Sequence, residues 1–315
     1  MPTFPPRAAA ARRRLVRGLR VAAVALALWL LVSWAVAYRL TRRPHPWRAE
    51  PAPAAAWGAF ESHRIKTRDG HELGAWLVRG RPGAASVLLL HGNGGSRWNC
   101  LDRAETLAAA GCTVLLVSLR AHGDSSGEFN DIGFGARHDV IAAVDFLERQ
   151  RPGAPILIHG TSLGAAAAVF ASGELARRVH GYILESPYRD LKTAVWNRAE
   201  NALPPVLNRV AYRGLLTVAP LVFAELEKIA PVDAVAGVPG DVPILILAGG
   251  RDRKARPEEA RAIYDRVKSH ATLSVFEDAG HLRFHAADPE RYRREVVSFV
   301  RGVESRHGSA GMTTR

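Results

Sequence analysis

Cysteine is almost absent. Cys100 and Cys112 are the only two in 315 residues, which excludes a disulfide-stapled scaffold and a multi-cysteine metal site. The stretch between them has a helical pattern, which at ~1.5 Å per residue separates them by about 18 Å, beyond the ~7 Å reach of a disulfide. Both read as buried thiols. Acidic residues are scarce at the start: residues 1–50 hold ten arginines against Glu50, so +9 of the formal +13 lies there and the other 265 residues carry +4. That remainder lacks zinc-ligand spacing, a recognition helix and a basic stripe interleaved with aromatics, which argues against nucleic acid as a partner. An internal repeat and a G-x-x-x-x-G-K-[ST] phosphate cradle are also missing. With hydrophobic residues at 48% and charged residues at 23%, the composition is that of a globular chain.

Charge is absent altogether from residues 21–38, VAAVALALWLLVSWAVAY. As a helix this segment extends about 27 Å at ~1.5 Å per residue, close to the ~30 Å hydrocarbon core of a bilayer. The sequence therefore divides into a basic tail over 1–20, a transmembrane signal anchor over 21–38 and a linker over 39–60. The alternative is a cleaved signal peptide, for which Ala35-Val36-Ala37 offers a small-x-small site. The apolar run exceeds the ~7–15 residues of a usual signal core, which favours an uncleaved anchor. Six arginines precede the segment (Arg7, Arg12, Arg13, Arg14, Arg17, Arg20) and four follow it (Arg39, Arg42, Arg43, Arg48). This balance, six against four, favours a single-pass protein with its N-terminus cytoplasmic and its catalytic domain extracytoplasmic, with a cytoplasmic catalytic domain as the alternative. The following PHPWRAEPAPAAA, rich in Pro and Ala, reads as a poor docking element.

From residue 61 the pattern becomes regular. HRIKTRDGHELGAWLV alternates across Asp69-Gly70, a hairpin signal. Short apolar runs follow at 86–92, 113–119, 155–160, 181–186, 242–250 and 272–280, separated by stretches with helical periodicity such as WNCLDRAETLAAAG and GARHDVIAAVDFLERQ. Strands apolar throughout, alternating with amphipathic helices, predict an α/β domain over 61–305: a mostly parallel sheet with helices on both faces and an antiparallel N-terminal hairpin. Residues 189–240 exceed what a crossover helix needs and read as a helical cap insertion. Residues 306–315 read as a mobile tail. Ligands of such sheets sit outside the carboxyl ends of the strands.

Gly160-Thr161-Ser162-Leu163-Gly164 lies between a predicted strand and a predicted helix. That is the context of a nucleophile elbow, in which a tight turn lifts Ser162 above the sheet and two glycines remove side chains that would collide with it. A serine hydroxyl needs a base. Of twelve histidines, His281 follows the last apolar run in EDAGHL and is preferred, with His285 as the main alternative and His159 and His122 less well placed. The imidazole in turn needs a carboxylate. Asp252, in LAGGRDRKARP, follows the preceding strand and completes the order Ser162, Asp252, His281. Glu185 and Asp190 compete for that role, and Asp278 does so more weakly because it is so near His281. Oxyanion donors are expected at the backbone N–H of Leu163, at the start of the helix, and of Asn93 in His91-Gly92-Asn93-Gly94-Gly95.

HGNGG, LRAHGDSSG, GTSLG, LESPY, GGRD and AGH occur in that order. On these motifs the chain resembles the α/β-hydrolase superfamily over residues 61–302, and more narrowly its anchored, short-capped serine hydrolases such as the ABHD-type and BEM46-like membrane hydrolases. The resemblance implies an α/β-hydrolase fold with Ser162 as nucleophile, His281 as base, Asp252 as acid, and Asn93 and Leu163 as oxyanion donors. The implied activity is hydrolysis of an ester, lipid-like in the first instance, with thioester or amide cleavage and a non-catalytic anchored binding domain as alternatives. No metal or organic cofactor is implied. The implied partners are a small-molecule or lipid-like ester and the membrane that holds the N-terminal helix. Two departures stand out. Many relatives read D-x-R-G-H-G where this chain has Ser118-Leu119-Arg120-Ala121-His122-Gly123, and the acid loop is crowded with Arg251, Arg253, Lys254 and Arg256, which read as a solvated face.

Overall fold

The computed structural model describes residues 6–313, with side chains over 10–309. Eight strands form one sheet in the order β1-β2-β4-β3-β5-β6-β7-β8. They are β1 (Phe60–Lys66), β2 (Glu72–Val78), β3 (Ser86–Leu90), β4 (Thr113–Val117), β5 (Ile156–Thr161), β6 (Gly181–Glu185), β7 (Ile244–Gly249) and β8 (Ala271–Phe276). β1 and β2 form the antiparallel hairpin predicted across Asp69-Gly70, with Gly70 at φ +87°, and β2 joins β4 antiparallel. Every later pairing is parallel.

The helices are α1 (Pro6–Leu40), α2 (Leu101–Ala109), α3 (Arg137–Gln150), α4 (Leu163–Leu175), α5 (Leu191–Ala202), α6 (Leu207–Val218), α7 (Pro231–Ala234), α8 (Pro257–Val267), α9 (Phe284–Ala287) and α10 (Pro289–Thr313). Because side chains alternate across a strand, the apolar runs feed two cores. Leu88, Leu90, Ile158 and Ile246 pack under α3, α4 and α8, while Val87, Leu89, Leu157 and Leu247 pack under α2 and α10. This two-sided burial is why β3 to β7 read as continuous apolar runs rather than alternating ones. β8 stops at Phe276, short of the predicted 280, because residues 277–280 turn back on β7: Gly250 N–H donates to Phe276 O (2.9 Å) and Arg251 N–H to Ala279 O (2.9 Å).

The insertion over 189–240 holds α5, α6, α7 and short 3₁₀ turns. Its own small core, built on Tyr188, Leu191, Ala194, Phe223 and Ile229, rests on Ala166 in the first turn of α4. α10 continues through residues 306–313, which the sequence assigns to a tail.

α1 is one continuous helix spanning the basic and the apolar segments. Most of its apolar face is exposed, but Ser33 and Ala37, four residues apart, are buried, as is Thr41 just beyond the helix end. Residues 41–50, which overlap the 44–56 stretch that reads as a poor docking element, lie against the domain. Extended backbone leaves polar groups to share: Arg43 N–H donates to Glu128 O (2.9 Å) and Asn130 N–H to Thr41 O (2.7 Å). The Arg43 guanidinium is buried and donates to the carbonyls of Gly123 (3.0 Å), Ser125 (2.5 Å) and Gly127 (2.8 Å).

Candidate active site

β5 ends at Thr161 and α4 begins at Leu163, so Ser162 alone makes the reversal. It takes φ +51° and ψ −108°, a region that costs a non-glycine residue ~1–3 kcal/mol and that the surroundings must enforce. Two backbone bonds enforce it: Ser162 N–H donates to Glu185 O (2.8 Å), and Ser162 O accepts from Ala166 N–H (3.1 Å). The flanking glycines follow from the same geometry. A Cβ on Gly160 would lie 2.5 Å from the carbonyl of Gly164, and one on Gly164 would lie 2.5 Å from Leu90 O. Strand, turn and helix therefore close on one another with no space for a methyl group at either position.

Asp252 lies past the end of β7 and His281 past the end of β8, at the same rim of the sheet as Ser162. His281 Nδ1 is 2.7 Å from Asp252 Oδ2. Asp252 Oδ1 accepts from the N–H groups of Lys254 (2.8 Å) and Ala255 (3.0 Å), so both carboxylate oxygens are engaged. Burial by itself would raise the Asp252 pKa, but the His281 hydrogen bond and charge, with the two amides, hold it below the ordinary carboxylate value. With Asp252 Oδ2 as its acceptor, His281 Nδ1 carries a proton, and Nε2 has no hydrogen-bond partner among the described residues. Ser162 Cβ and Leu282 Cδ1 flank Gly92 at 3.6 and 3.3 Å from where its Cβ would be, which brings the serine, the histidine loop and the loop after β3 together. Among the described residues no hydrogen bond joins Ser162 Oγ to His281.

The competing residues are occupied elsewhere. Glu185 is fully buried and takes His159 Nε2 (2.7 Å), Tyr292 Oη (2.6 Å) and the Arg103 guanidinium. Burial would raise its pKa, yet Arg103 and His159 keep it ionised. Asp190 caps α5 by accepting from Thr193 N–H (2.7 Å), and Asp278 pairs with Arg251 (2.6 Å). The His285 ring packs against Tyr292. In the acid loop Arg256 pairs with Glu200, so two of its four cations have carboxylate partners.

The loop after β3 makes a turn in which Gly95 N–H donates to Gly92 O (3.1 Å) and Gly94 adopts φ +76°. The amides of Asn93 and Leu163 have no acceptor among the described residues. Asn93 Oδ1 accepts from Asn130 Nδ2 (2.7 Å), and Gly94 N–H donates to His122 Nε2 (3.2 Å). His91 lies beneath, its Nε2 accepting from Leu119 N–H (3.0 Å). Sequence reasoning missed these supports, Asn130 above all, because nothing nearby in the sequence sets it apart.

The departure from D-x-R-G-H-G has structural outcomes at positions 118 and 121. Ser118 Oγ donates to Glu50 Oε2 (2.6 Å), which also faces Arg97 Nη1 at 3.0 Å, so the carboxylate missing at position 118 arrives from residues 41–50. Ala121 sits at φ +58°, where glycine would be unstrained.

A family model described as Alpha/beta hydrolase family matches residues 87–295. An uncharacterised protein of Mycobacterium tuberculosis is 31% identical over 229 residues, covering 71% of this chain and 72% of its own. Human monoglyceride lipase is 27% identical over 267 residues, covering 75% of this chain and 87% of its own. Among solved structures, the Pyrococcus furiosus esterase Pf2001 matches with a TM-score of 0.67 at 25% identity, over 81% of this chain and 96% of that one.

Proposed function

Since this chain belongs to the alpha/beta hydrolase family, we propose that it is a serine hydrolase that cleaves a carboxylic ester, with a lipid-like ester as its substrate class, through an acyl-enzyme. The observation that carries the reading is the buried Asp252 carboxylate 2.7 Å from His281 Nδ1, at the rim where Ser162 is held in a strained turn. Ser162 Oγ attacks the ester carbonyl while His281 Nε2 takes its proton. Asp252 stabilises the imidazolium that results, without itself being protonated. The carbonyl oxygen becomes an oxyanion, and the free N–H groups of Asn93 and Leu163 are the donors for it, the second at the positive end of α4. Collapse returns the proton to the departing alcohol, and water repeats the sequence on the acyl-enzyme. The similarity to a monoglyceride lipase and an esterase supports an ester rather than an amide.

α1 is read as a membrane anchor with the N-terminus cytoplasmic and the catalytic domain on the other side. The test of the chemistry is labelling with a fluorophosphonate, alongside hydrolysis of p-nitrophenyl esters of rising chain length. Ser162→Ala is expected to lose the label and at least about 10⁴-fold in rate. Equal labelling of both proteins would remove Ser162 from the mechanism, and a preference for acetyl over longer acyl chains would remove the lipid-like substrate.

A further inference from the structure

We infer that Arg198 of the cap helix α5 is a substrate-binding cation of the active site, and that the ester it selects carries an anionic oxygen group, phosphate or carboxylate. The inference rests on the reading of Ser162, Asp252 and His281 as a hydrolytic site, and it narrows the substrate class from lipid-like esters to acidic ones.

Helix α5 is tied to the acid loop by its own polar side chains. Asn197 Nδ2 donates to Glu259 Oε1 (2.5 Å) and to Lys254 O (3.3 Å), and Asn201 Nδ2 donates to Arg253 O (2.7 Å). The amides of Lys254 and Ala255 in that loop hold Asp252 Oδ1. One turn of α5, from 197 to 201, therefore spans the loop that carries Asp252, and Arg198 lies within that turn.

Spacing decides which way position 198 faces. Leu191, Ala194 and Arg198 are three and four residues apart, so they share one face of the helix. Leu191 and Ala194 are buried in the cap core together with Tyr188, Ala255 and Ala166. Arg198 continues that inner face, yet it is exposed. Contacts at 197 and 201 place the domain beside it, so the space it is exposed to is the gap between the cap and the rim of the sheet.

The guanidinium has no counter-charge of its own. Among the described residues it forms no ion pair, and its one hydrogen bond runs from Nη1 to Ala194 O (2.8 Å) in the same helix, which leaves most of its N–H donors unused. Nearby carboxylates are committed elsewhere: Asp252 to His281 and two amides, and Glu259 to Asn197 and the N–H groups of Arg189 and Arg256. Lost hydration lowers the Arg198 pKa below that of free arginine, and Tyr188, Glu259 and Asp252 oppose the shift. The group stays ionised. It is thus walled by protein, open to solvent on one side, and close enough to Asp252 to feel its charge. A guanidinium so placed takes a carboxylate or phosphate through two parallel hydrogen bonds, a geometry that an ammonium does not reproduce. An acidic ester bound beneath α5 then sets its anion on Arg198 and its carbonyl at Ser162.

Two matched ester pairs test this on the full chain in detergent. One is a monoacylglycerol against the corresponding monoacylglycerol phosphate, with the anion on the alcohol side. The other is p-nitrophenyl valerate against p-nitrophenyl monoglutarate, with the anion on the acyl side. The protein is expected to favour the anionic member of at least one pair by at least about tenfold in kcat/KM, and that pair tells which side of the ester Arg198 reads. Arg198→Gln is expected to lose the preference through KM, Arg198→Lys to keep part of it, and Arg253→Gln, which removes an exposed cation of the acid loop, to keep all of it. A smaller preference in both pairs, or one that survives Arg198→Gln, would overturn the inference. Fluorophosphonate labelling of each variant separates the outcomes. Protein that labels at Ser162 without the preference loses only the acidic substrate class, and protein that neither labels nor hydrolyses any of the four esters loses the hydrolytic reading as well.

Discussion

A methyl group at position 164 would have to share space with the carbonyl oxygen of Leu90, 2.5 Å from where its Cβ would lie. Backbone cannot yield as a flexible side chain can, so Gly164→Ala is expected to lower unfolding stability by about 3 kcal/mol or to displace the elbow. Denaturant titration measures the first, and loss of fluorophosphonate labelling the second. Asp252 makes a complementary case, in which the fold survives and the chemistry does not. Asp252→Asn keeps the volume but replaces a carboxylate that takes His281 Nδ1 and two amides with a group that also donates. The imidazole then loses its fixed tautomer, and esterase kcat is expected to fall about 10⁴-fold with an unchanged melting temperature. A fall below tenfold would mean that another acid orients His281.

Elements extend the site well beyond its reacting residues. Residues 41–50 hold the loop between β4 and α3 through Arg43 and Glu50, and that loop holds the turn at Asn93 through Asn130. Asn130 N–H also donates to Thr41 O, which links the end of α1 to the turn at Asn93 by consecutive hydrogen bonds. Asn130→Ala is therefore expected to lower kcat about tenfold with little change in KM, since in the proposed mechanism only the transition state uses the Asn93 amide. A change confined to thermal stability would reduce Asn130 to a structural role. The strands and the reversal at Ser162 were legible in the sequence because each is a local pattern: continuous apolar runs, and G-x-S-x-G between strand and helix. The docking of residues 41–50 was not, since Arg43 and Glu50 look like any solvated charges until the chain brings Gly123, Ser118 and Arg97 to meet them. The same holds for the Glu185 cluster, whose partners at 103, 159 and 292 come from three separate elements.

The whole molecule's stability responds to these buried groups through pH. Burial, with the nearby charge of His122, pushes His91 down to about 3, and burial pushes His122 down to about 4 despite the Arg120 carbonyl at its Nδ1. In the unfolded chain both titrate near 6.5. Between the two values the unfolded state binds protons that the folded state does not, so the stability these histidines contribute is complete above about pH 6.5 and is lost as pH falls. At about 1.4 kcal/mol per pH unit, each removes about 2 kcal/mol between pH 7 and pH 5. Asp139 works in the opposite sense: burial raises it to about 6 despite its pairing with Arg120, so folding takes up a proton below that pH and recovers about 1.4 kcal/mol by pH 5. The depressed carboxylates, Asp252 among them, release their contribution only near and below their unfolded values, under pH 5. The partly exposed His71, His138, His180 and His270 are also lowered and add a solvent-weakened loss of the same sign as His91. Urea unfolding in detergent is therefore expected to give a stability about 2–3 kcal/mol lower at pH 5 than at pH 7. His122→Gln, which cannot take the proton, should shrink that difference by about 2 kcal/mol. Equal stability at the two pH values would show that neither imidazole is held neutral by the fold.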